Sequence, residues 1–245
     1  MTYCVATLLD TGLVFLSDSR TNAGVDQINT FRKVTVFERP GDRVIVLQTA
    51  GNLGVSQAVI THLQEAIADP AGPPSLANAR NMFEAAQRVG DAVRAVHDRD
   101  ADAFHEFGIE FNAAILMGGQ ILGESPRLFS VYAAGNFIEA TPDTTYFQIG
   151  ESKYGRPILD RVIRRSSSIN EAIKCALVSM DSTIRSNLSV GLPLDLVVVK
   201  RDALNVARHM SIGEDNDYFR GIRSSWGESL RLAFTHLPDP DWVAR

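Results

Sequence analysis

Two short apolar runs near the amino terminus, Tyr3 to Leu9 and Leu13 to Leu16, constrain this chain more than any other feature. Both are β-rich and apolar at nearly every position, where a strand with one wet face would alternate. Strands of this kind must be covered on both faces. Asp10-Thr11-Gly12 between them suits a three-residue hairpin loop, with Gly12 supplying the positive φ. Pairing Leu9 with Leu13 sets Thr2 opposite Arg20 and Asp18 opposite Cys4. A two-residue loop changes this little, so Thr2 and Asp18 are expected as neighbours in either register.

The remaining pattern says what covers those strands. Lys33 to Gly51 reads as a second hairpin, turning at Arg39-Pro40-Gly41-Asp42. Helical periodicity follows from about Leu53 to Ala68, with Ala58, Val59, His62, Leu63, Ala66 and Ile67 on one face. The breaker Asp69 to Ser75 separates it from a second helix, Leu76 to about His97. The acidic stretch Asp98 to Phe107 is expected as a loop. Strands are expected at Ile109–Met117, Arg127–Ala133, Phe137–Ala140 and Thr145–Ile149. Helices are then expected at Arg156–Ile163 and from Ile169 to about Arg185, whose apolar positions keep a strict helical spacing. Strands at Leu194–Lys200 and Val206–Ile212 and a helix from about Asn216 to Phe234 close the chain. Runs of strands separated by paired helices argue for stacked antiparallel sheets with helices outside, an α+β class. At 245 residues, without repeats or a linker, residues 1–245 are expected to form a single domain.

Bulk composition excludes several classes. A net charge of -5 supplies no electrostatic footprint for nucleic acid or an anionic membrane. No run is long enough to span a bilayer, and Asp10 interrupts any signal-peptide core. The two cysteines, Cys4 and Cys175, fit a reducing compartment, so a cytoplasmic location is expected. The five histidines show no zinc-site spacing, "HDRDADAFHEF" lacks the glycine and terminal glutamate of a calcium loop, and "MGGQILG" is no phosphate loop. No metal and no organic cofactor are expected.

Thr2 admits two readings. It is a solvated strand start, or, once Met1 is removed, a nucleophile whose own α-amine is the base. The second is chemically economical, because an α-amine titrates at about 7.7–8.0, near working pH. It needs a nearby lysine, an acid to orient that lysine, and backbone N–H donors for the oxyanion. Asp18 is the acid that the hairpin brings close, and Lys33 is the only lysine in the first 150 residues. Gly51 in "TAGN" can turn a bare N–H toward a substrate carbonyl. Each also has a plain structural reading, Asp18 as a hydrogen-bonded strand end and Lys33 as a solvated terminus.

Thr2, "SDSR" (Ser17 to Arg20), "FRKV" (Phe31 to Val34) and "TAG" (Thr49 to Gly51), in that order, resemble the proteasome β-subunit pattern. The stretch from Ser17 to Leu53, with "YFQIGESKYGRPILDRVI" and "SMDSTIRSNLSVGLPLDLVVV", resembles Anbu, the bacterial ancestral β-subunit branch of the N-terminal-nucleophile hydrolases. The resemblance implies a four-layer αββα sandwich. It makes Thr2 nucleophile and base, Asp18 and Lys33 the pair that tunes it, and Gly51 an oxyanion donor. It puts Thr21, Phe31, Thr35, Thr49 and Leu53 around the substrate side chain before the scissile bond, with Arg20 close by.

Departures from the proteasome pattern fall on the auxiliary residues. Asn136 stands where a serine near the amine is expected. Asp181 is the match for the supporting acid, with Ser182 or Ser186 in place of the usual serine. Only Met1 precedes Thr2, so activation is expected to need methionine aminopeptidase alone.

The reading is a threonine-type peptidase in a homo-oligomeric ring or open spiral, acting on unfolded chains or peptides. An unfoldase partner is compatible with it, though no residue identifies one. Two alternatives remain open: a non-catalytic assembly protein on the same fold, and a small-amide hydrolase.

Overall fold

A computed structural model describes residues 2–22, 28–69, 72 and 74–242; Met1, on whose removal the nucleophile reading depends, lies outside them. The amino-terminal runs are strands β1 (Tyr3–Leu9) and β2 (Gly12–Asp18), every residue of both buried. Their connection is one residue shorter than the loop expected. Leu9 pairs with Gly12 and Cys4 with Ser17, so the chain reverses over Asp10 and Thr11 alone. Gly12 does take a positive φ, +146°, and the backbone of Val199 and Lys200 packs against it too closely for a side chain. Asp18 consequently falls beside Tyr3 rather than Cys4.

The next elements are β3 (Arg20–Asn22), β4 (Ile28–Thr30), β5 (Val34–Arg39), β6 (Arg43–Gly51), α1 (Leu53–Ala68), α2 (Met82–Glu106), β7 (Ala113–Ile121), β8 (Arg127–Val131) and β9 (Phe137–Glu139). They are followed by β10 (Tyr146–Gly150), α3 (Arg156–Val162), α4 (Ile169–Ser186), β11 (Leu194–Lys200), β12 (Val206–Ile212) and α5 (Asp217–Thr235). One antiparallel sheet has the order β10-β1-β2-β11-β12 and a second the order β5-β6-β7-β8-β9; β3 and β4 form a separate two-stranded ribbon.

Three apolar cores explain why β1 and β2 carry no wet face. Cys4, Ala6, Leu8, Leu13 and Phe15 meet Val44, Val46, Leu116 and Leu128 of the second sheet. The opposite face, with Tyr3, Val5, Val14 and Leu16, packs on Leu159 of α3, Ala172, Ala176 and Met180 of α4, and Phe219 of α5. The outer face of the second sheet, through Ile45, Leu47, Ile115 and Phe129, is covered by α1 and α2. Each fully buried Leu or Phe contributes roughly 1.5–3 kcal/mol, so both flanking layers hold the central strands in place.

Most expected elements lie within a residue or two of their positions, and the exceptions have tertiary causes. The second helix begins at Met82, not Leu76. Asn81 caps it by accepting the Glu84 N–H at 2.8 Å, while the Asn78 side chain ties Ser75 into a preceding turn. Asp98–Phe107, expected as a loop, supplies the last turns of α2, because Phe104 packs edge-on against Phe111 and joins the helix–sheet core. The strand expected from Ile109 therefore starts at Ala113 and continues through Gly118 and Gly119 to Ile121. On α1 the buried positions are Val55, Ser56, Val59 and Leu63, and His62 is exposed. The β3–β4 ribbon was not expected, since its short polar strands carry no period.

No helix among the described residues is long and apolar enough to cross a membrane. Cys4 and Cys175 are both buried free thiols. Burial pushes the Cys175 thiol up to about 11 and Cys4 well above its ordinary range, so Cys4 is a core residue that donates weakly to the Thr49 carbonyl.

Candidate active site

The centre of the site is a buried ion pair. β2 ends at Asp18, and Ser19 is anchored by donating its N–H and hydroxyl to the Pro193 carbonyl. The β3–β4 ribbon then carries the chain out and back, and the Phe31 N–H returns to the Ser19 carbonyl at 2.8 Å. Lys33 follows immediately. Its Nζ donates to Asp18 Oδ1 at 2.7 Å and to the Arg20 carbonyl at 2.6 Å. Asp18 is 0% exposed and Lys33 6%. Burial raises the Asp18 carboxyl above its ordinary value, opposed by the charge and hydrogen bond of Lys33 and by the N–H groups of Tyr3 and Gly191.

Thr2 is joined to this pair through its own backbone. The next residue, Tyr3, donates its N–H to the same Asp18 Oδ1 at 3.0 Å. On the other side, the Thr2 carbonyl accepts the Glu151 N–H at 2.7 Å, just beyond the Tyr3–Gly150 pairing of β1 with β10. Gly150 has φ +81°, and a Cβ there would lie 1.9 Å from the Thr2 carbonyl oxygen, so only glycine allows this approach. The Tyr3 phenol fixes the strand further, bonding Ser179 of α4 at 2.6 Å and Gln148 of β10 at 2.5 Å.

Gly51 closes β6 at a φ of +110°, exposed at the strand end. The Asn112 carbonyl leaves no space for a side chain there and accepts the Asn52 N–H at 2.9 Å. Asn52 in turn caps α1 through its side chain. A strand end and a helix start thus hold the Gly51 backbone rigidly. Thr49 couples it to the ion pair, donating its N–H to the Lys33 carbonyl at 2.9 Å.

Of the expected substrate-side residues, Thr35, Thr49 and Leu53 line one cavity of about 300 Å³, together with Arg32, Ser56 and Gln57. Arg32 Nε lies 3.8 Å from the buried Asp195. Thr21 on β3 and Phe31 after β4 lie along the ribbon between Asp18 and Lys33 and do not line that cavity. A larger groove of about 800 Å³ runs beside β10 and α3, past Tyr146, Arg156 and Asp160. Thr2, Asp18 and Lys33 are not among its lining residues, so the smaller cavity is the one joined to the ion pair.

The four auxiliary residues are placed elsewhere. Asn136 sits exposed in the β8–β9 turn, its carbonyl accepting the Tyr132 N–H. That is the edge of the second sheet opposite β5, which Lys33 precedes. Asp181 is buried, but its two oxygens accept from Arg185 at 2.9 Å and Arg223 at 2.8 Å, a link between α4 and α5. The Ser182 hydroxyl donates to the Val178 carbonyl within α4, and Ser186 is exposed at the helix end. The polar groups that do approach Thr2 are Glu151 and, through it, Asn187, whose Nδ2 donates to Glu151 Oε2 at 3.0 Å. The sequence signal for Glu151 was its place at the end of a strand; that this strand pairs with β1 is long-range information. Among the described residues no cluster of three or more His, Cys, Asp or Glu is arranged to hold a metal ion.

Face-to-face antiparallel sheets flanked by helices, with a threonine, an acid and a lysine gathered at one strand end, define a relative of the proteasome β-subunit. Solved structures agree. The chain is 51% identical to "Anbu (ancestral beta-subunit)" from Yersinia bercovieri, with 98% of this chain and 100% of that one covered and a TM-score of 0.92. An Anbu (Gly-1) mutant from Hyphomicrobium sp. strain MC1 is 48% identical over 98% of this chain and 100% of that one, TM-score 0.93. The subunit in the helical assembly of the Anbu complex from Pseudomonas aeruginosa is 48% identical over 99% and 100%, TM-score 0.93. The chain belongs to the Anbu (ancestral beta-subunit) family. Comparison with protein-family models and with curated proteins gives no match.

Proposed function

We propose that the protein is a threonine-type N-terminal-nucleophile peptidase, with residues 1–245 forming one peptidase domain of four-layer αββα architecture. The observation that carries this reading is the sharing of Asp18 Oδ1 between Lys33 Nζ and the N–H of Tyr3. A buried ammonium is thereby held one residue from Thr2, where structural need alone favours apolar side chains.

With Met1 removed, the Thr2 amine takes the proton from Oγ1 as the oxygen attacks a peptide carbonyl. The tetrahedral oxyanion accepts the Gly51 N–H. Collapse expels the amine product, which receives the proton, and leaves an ester on Thr2. Water, deprotonated by the same amine, attacks the ester and restores the hydroxyl. Lys33 stabilises electron density at the site and disfavours a second positive charge on the amine; Asp18 holds Lys33 in place. No cofactor enters this chemistry. Thr35, Thr49 and Leu53 form the wall for the side chain before the scissile bond, with Thr21, Phe31 and Arg20 at its approach.

We further infer a cytoplasmic homo-oligomer, a ring or open spiral, that admits unfolded chains or peptides and excludes folded ones; an unfoldase would serve as feeder. The helical assembly of the Pseudomonas aeruginosa relative supports self-association. The test is the intact mass of purified protein before and after an epoxyketone probe selective for amino-terminal threonine. Loss of one methionine followed by one adduct, abolished in Thr2→Ala, is the expected result. Retained Met1 with no adduct would leave these residues to packing and make the chain a non-catalytic assembly protein. An adduct with turnover of small amides but not peptides would make it an amide hydrolase.

A further inference from the structure

Glu151 is a buried carboxylate, 4% exposed, that the nucleophile chemistry above does not use. Its backbone N–H donates to the Thr2 carbonyl at 2.7 Å. Its side chain accepts from Asn187 Nδ2 at 3.0 Å. Asn187 follows the last residue of α4 and is oriented on both sides: its Oδ1 accepts the Ser189 N–H at 2.9 Å and its carbonyl the Val190 N–H at 3.1 Å. The amide can therefore present only its NH2 to Glu151. The loop that Asn187 opens runs to Gly191, which packs on the Arg20 guanidinium and turns its N–H toward Asp18. Asp18 in turn holds the N–H of Tyr3. These contacts close a circuit, Thr2 to Glu151 to Asn187, along the loop to Asp18, and back to the Thr2–Tyr3 peptide. Thr2 lies between two buried carboxylates, and only Asp18 has a lysine bonded to it.

We propose that Glu151, oriented by Asn187, is the ionic partner of the freed Thr2 amine and sets its proton affinity against Lys33. The proposal rests on the reading that Thr2 becomes the amino terminus. A carboxylate with one short hydrogen bond retains acceptor capacity, and Lys153 answers it only at 3.9 Å from an exposed position. The charged groups around the amine are thus Asp18 and Lys33, bound to each other, Arg20 with its Nη1 on the Leu188 carbonyl, Glu151 and Lys153. Lys33 favours the neutral amine that a base requires. Glu151 favours the ammonium and holds it in one orientation, which places the lone pair toward Oγ1 once the proton leaves. This is the role for which Asn136 and Asp181 were the candidates by sequence.

The experiment is a titration of the Thr2 amine in the mature, assembled protein. Acylation of the amino terminus by acetic anhydride is followed against pH by mass spectrometry of the amino-terminal peptide, in wild type and in Glu151→Gln. The amide keeps the size and can still accept from Asn187. Removing a neighbouring charge should lower the midpoint by about one pH unit or more, and Lys33→Met should raise it. Where Glu151→Gln does not assemble, Glu151→Ser should shift it in the same sense. An unchanged midpoint in an assembled Glu151 variant would overturn the proposal. A shifted midpoint in a protein that takes no epoxyketone adduct would uphold it while removing the peptidase reading. Retained Met1 would overturn both.

Discussion

Replacing Lys33 by methionine should leave the fold with an unpaired charge at its centre. Lys33 Nζ is 2.7 Å from Asp18 Oδ1, and neither residue is more than slightly exposed. At an effective dielectric of about 20 the attraction at that distance is about 6 kcal/mol, and much of it offsets the desolvation of the two ions. Removing one partner keeps the cost and loses the gain, so Lys33→Met should lose about 3–5 kcal/mol at pH 7. The pH dependence follows from the Asp18 carboxyl, already raised by burial and held back by Lys33. Without Lys33 it rises further above its unfolded value of about 3.9. A carboxyl raised in the folded state contributes stability that is complete below the unfolded value and is lost as pH climbs through the folded one. The deficit of Lys33→Met should therefore be small near pH 4 and grow by up to about 1.4 kcal/mol per pH unit toward neutrality. Urea unfolding of both proteins at matched protomer concentration, from pH 4 to 8, measures it. Adding Asp18→Asn should recover most of the loss, because the amide oxygen still accepts the Tyr3 N–H and no charge is stranded. A deficit under about 1 kcal/mol at pH 7, or one equal at pH 4.5 and 7, would refute the buried-pair reasoning.

Other outcomes follow from the same geometry. Gly150→Ala, forced to a φ of +81° with its Cβ 1.9 Å from the Thr2 carbonyl, should lose about 1–3 kcal/mol and the epoxyketone adduct; full labelling would show that Thr2 tolerates displacement. Asp181→Asn should cost about 1–3 kcal/mol in thermal or urea unfolding by weakening the Arg185 and Arg223 link, with labelling within a few-fold of wild type. A loss of labelling beyond about a hundredfold (about 2.7 kcal/mol of barrier) would return Asp181 to the chemistry. Arg32, on the cavity wall with Thr35 and Thr49, should favour an acidic side chain before the scissile bond, and Arg32→Ala should erase that preference across a peptide library. An unchanged cleavage profile would place the specificity pocket elsewhere.

What the amino-acid order determines by itself is whatever neighbours in sequence decide. The fully apolar β1 and β2 announced two covering layers, because burial on both faces leaves no polar position to read. The turn at Pro40-Gly41 and the helix at Ile169 were legible from dihedral preference and spacing, down to the Ser168–Glu171 capping box. Asp18 and Thr2 were neighbours in either register, and Lys33 was the only lysine near enough in sequence to serve. What the tertiary structure decided were contacts across long loops. A one-residue change of turn moved Asp18 from Cys4 to Tyr3, since the backbone at Val199 crowds Gly12. Phe104 against Phe111 turned an acidic stretch into helix, an effect no local propensity contains. Asn136 and Asp181 had suitable chemistry at plausible separations, yet a turn at the far sheet edge and two arginines claimed them. Glu151 and Asn187, 36 residues apart, meet beside Thr2 only because β10 pairs with β1 and α4 ends above them. Sequence spacing bounds which groups can meet, and the burial of the whole chain selects which of them do.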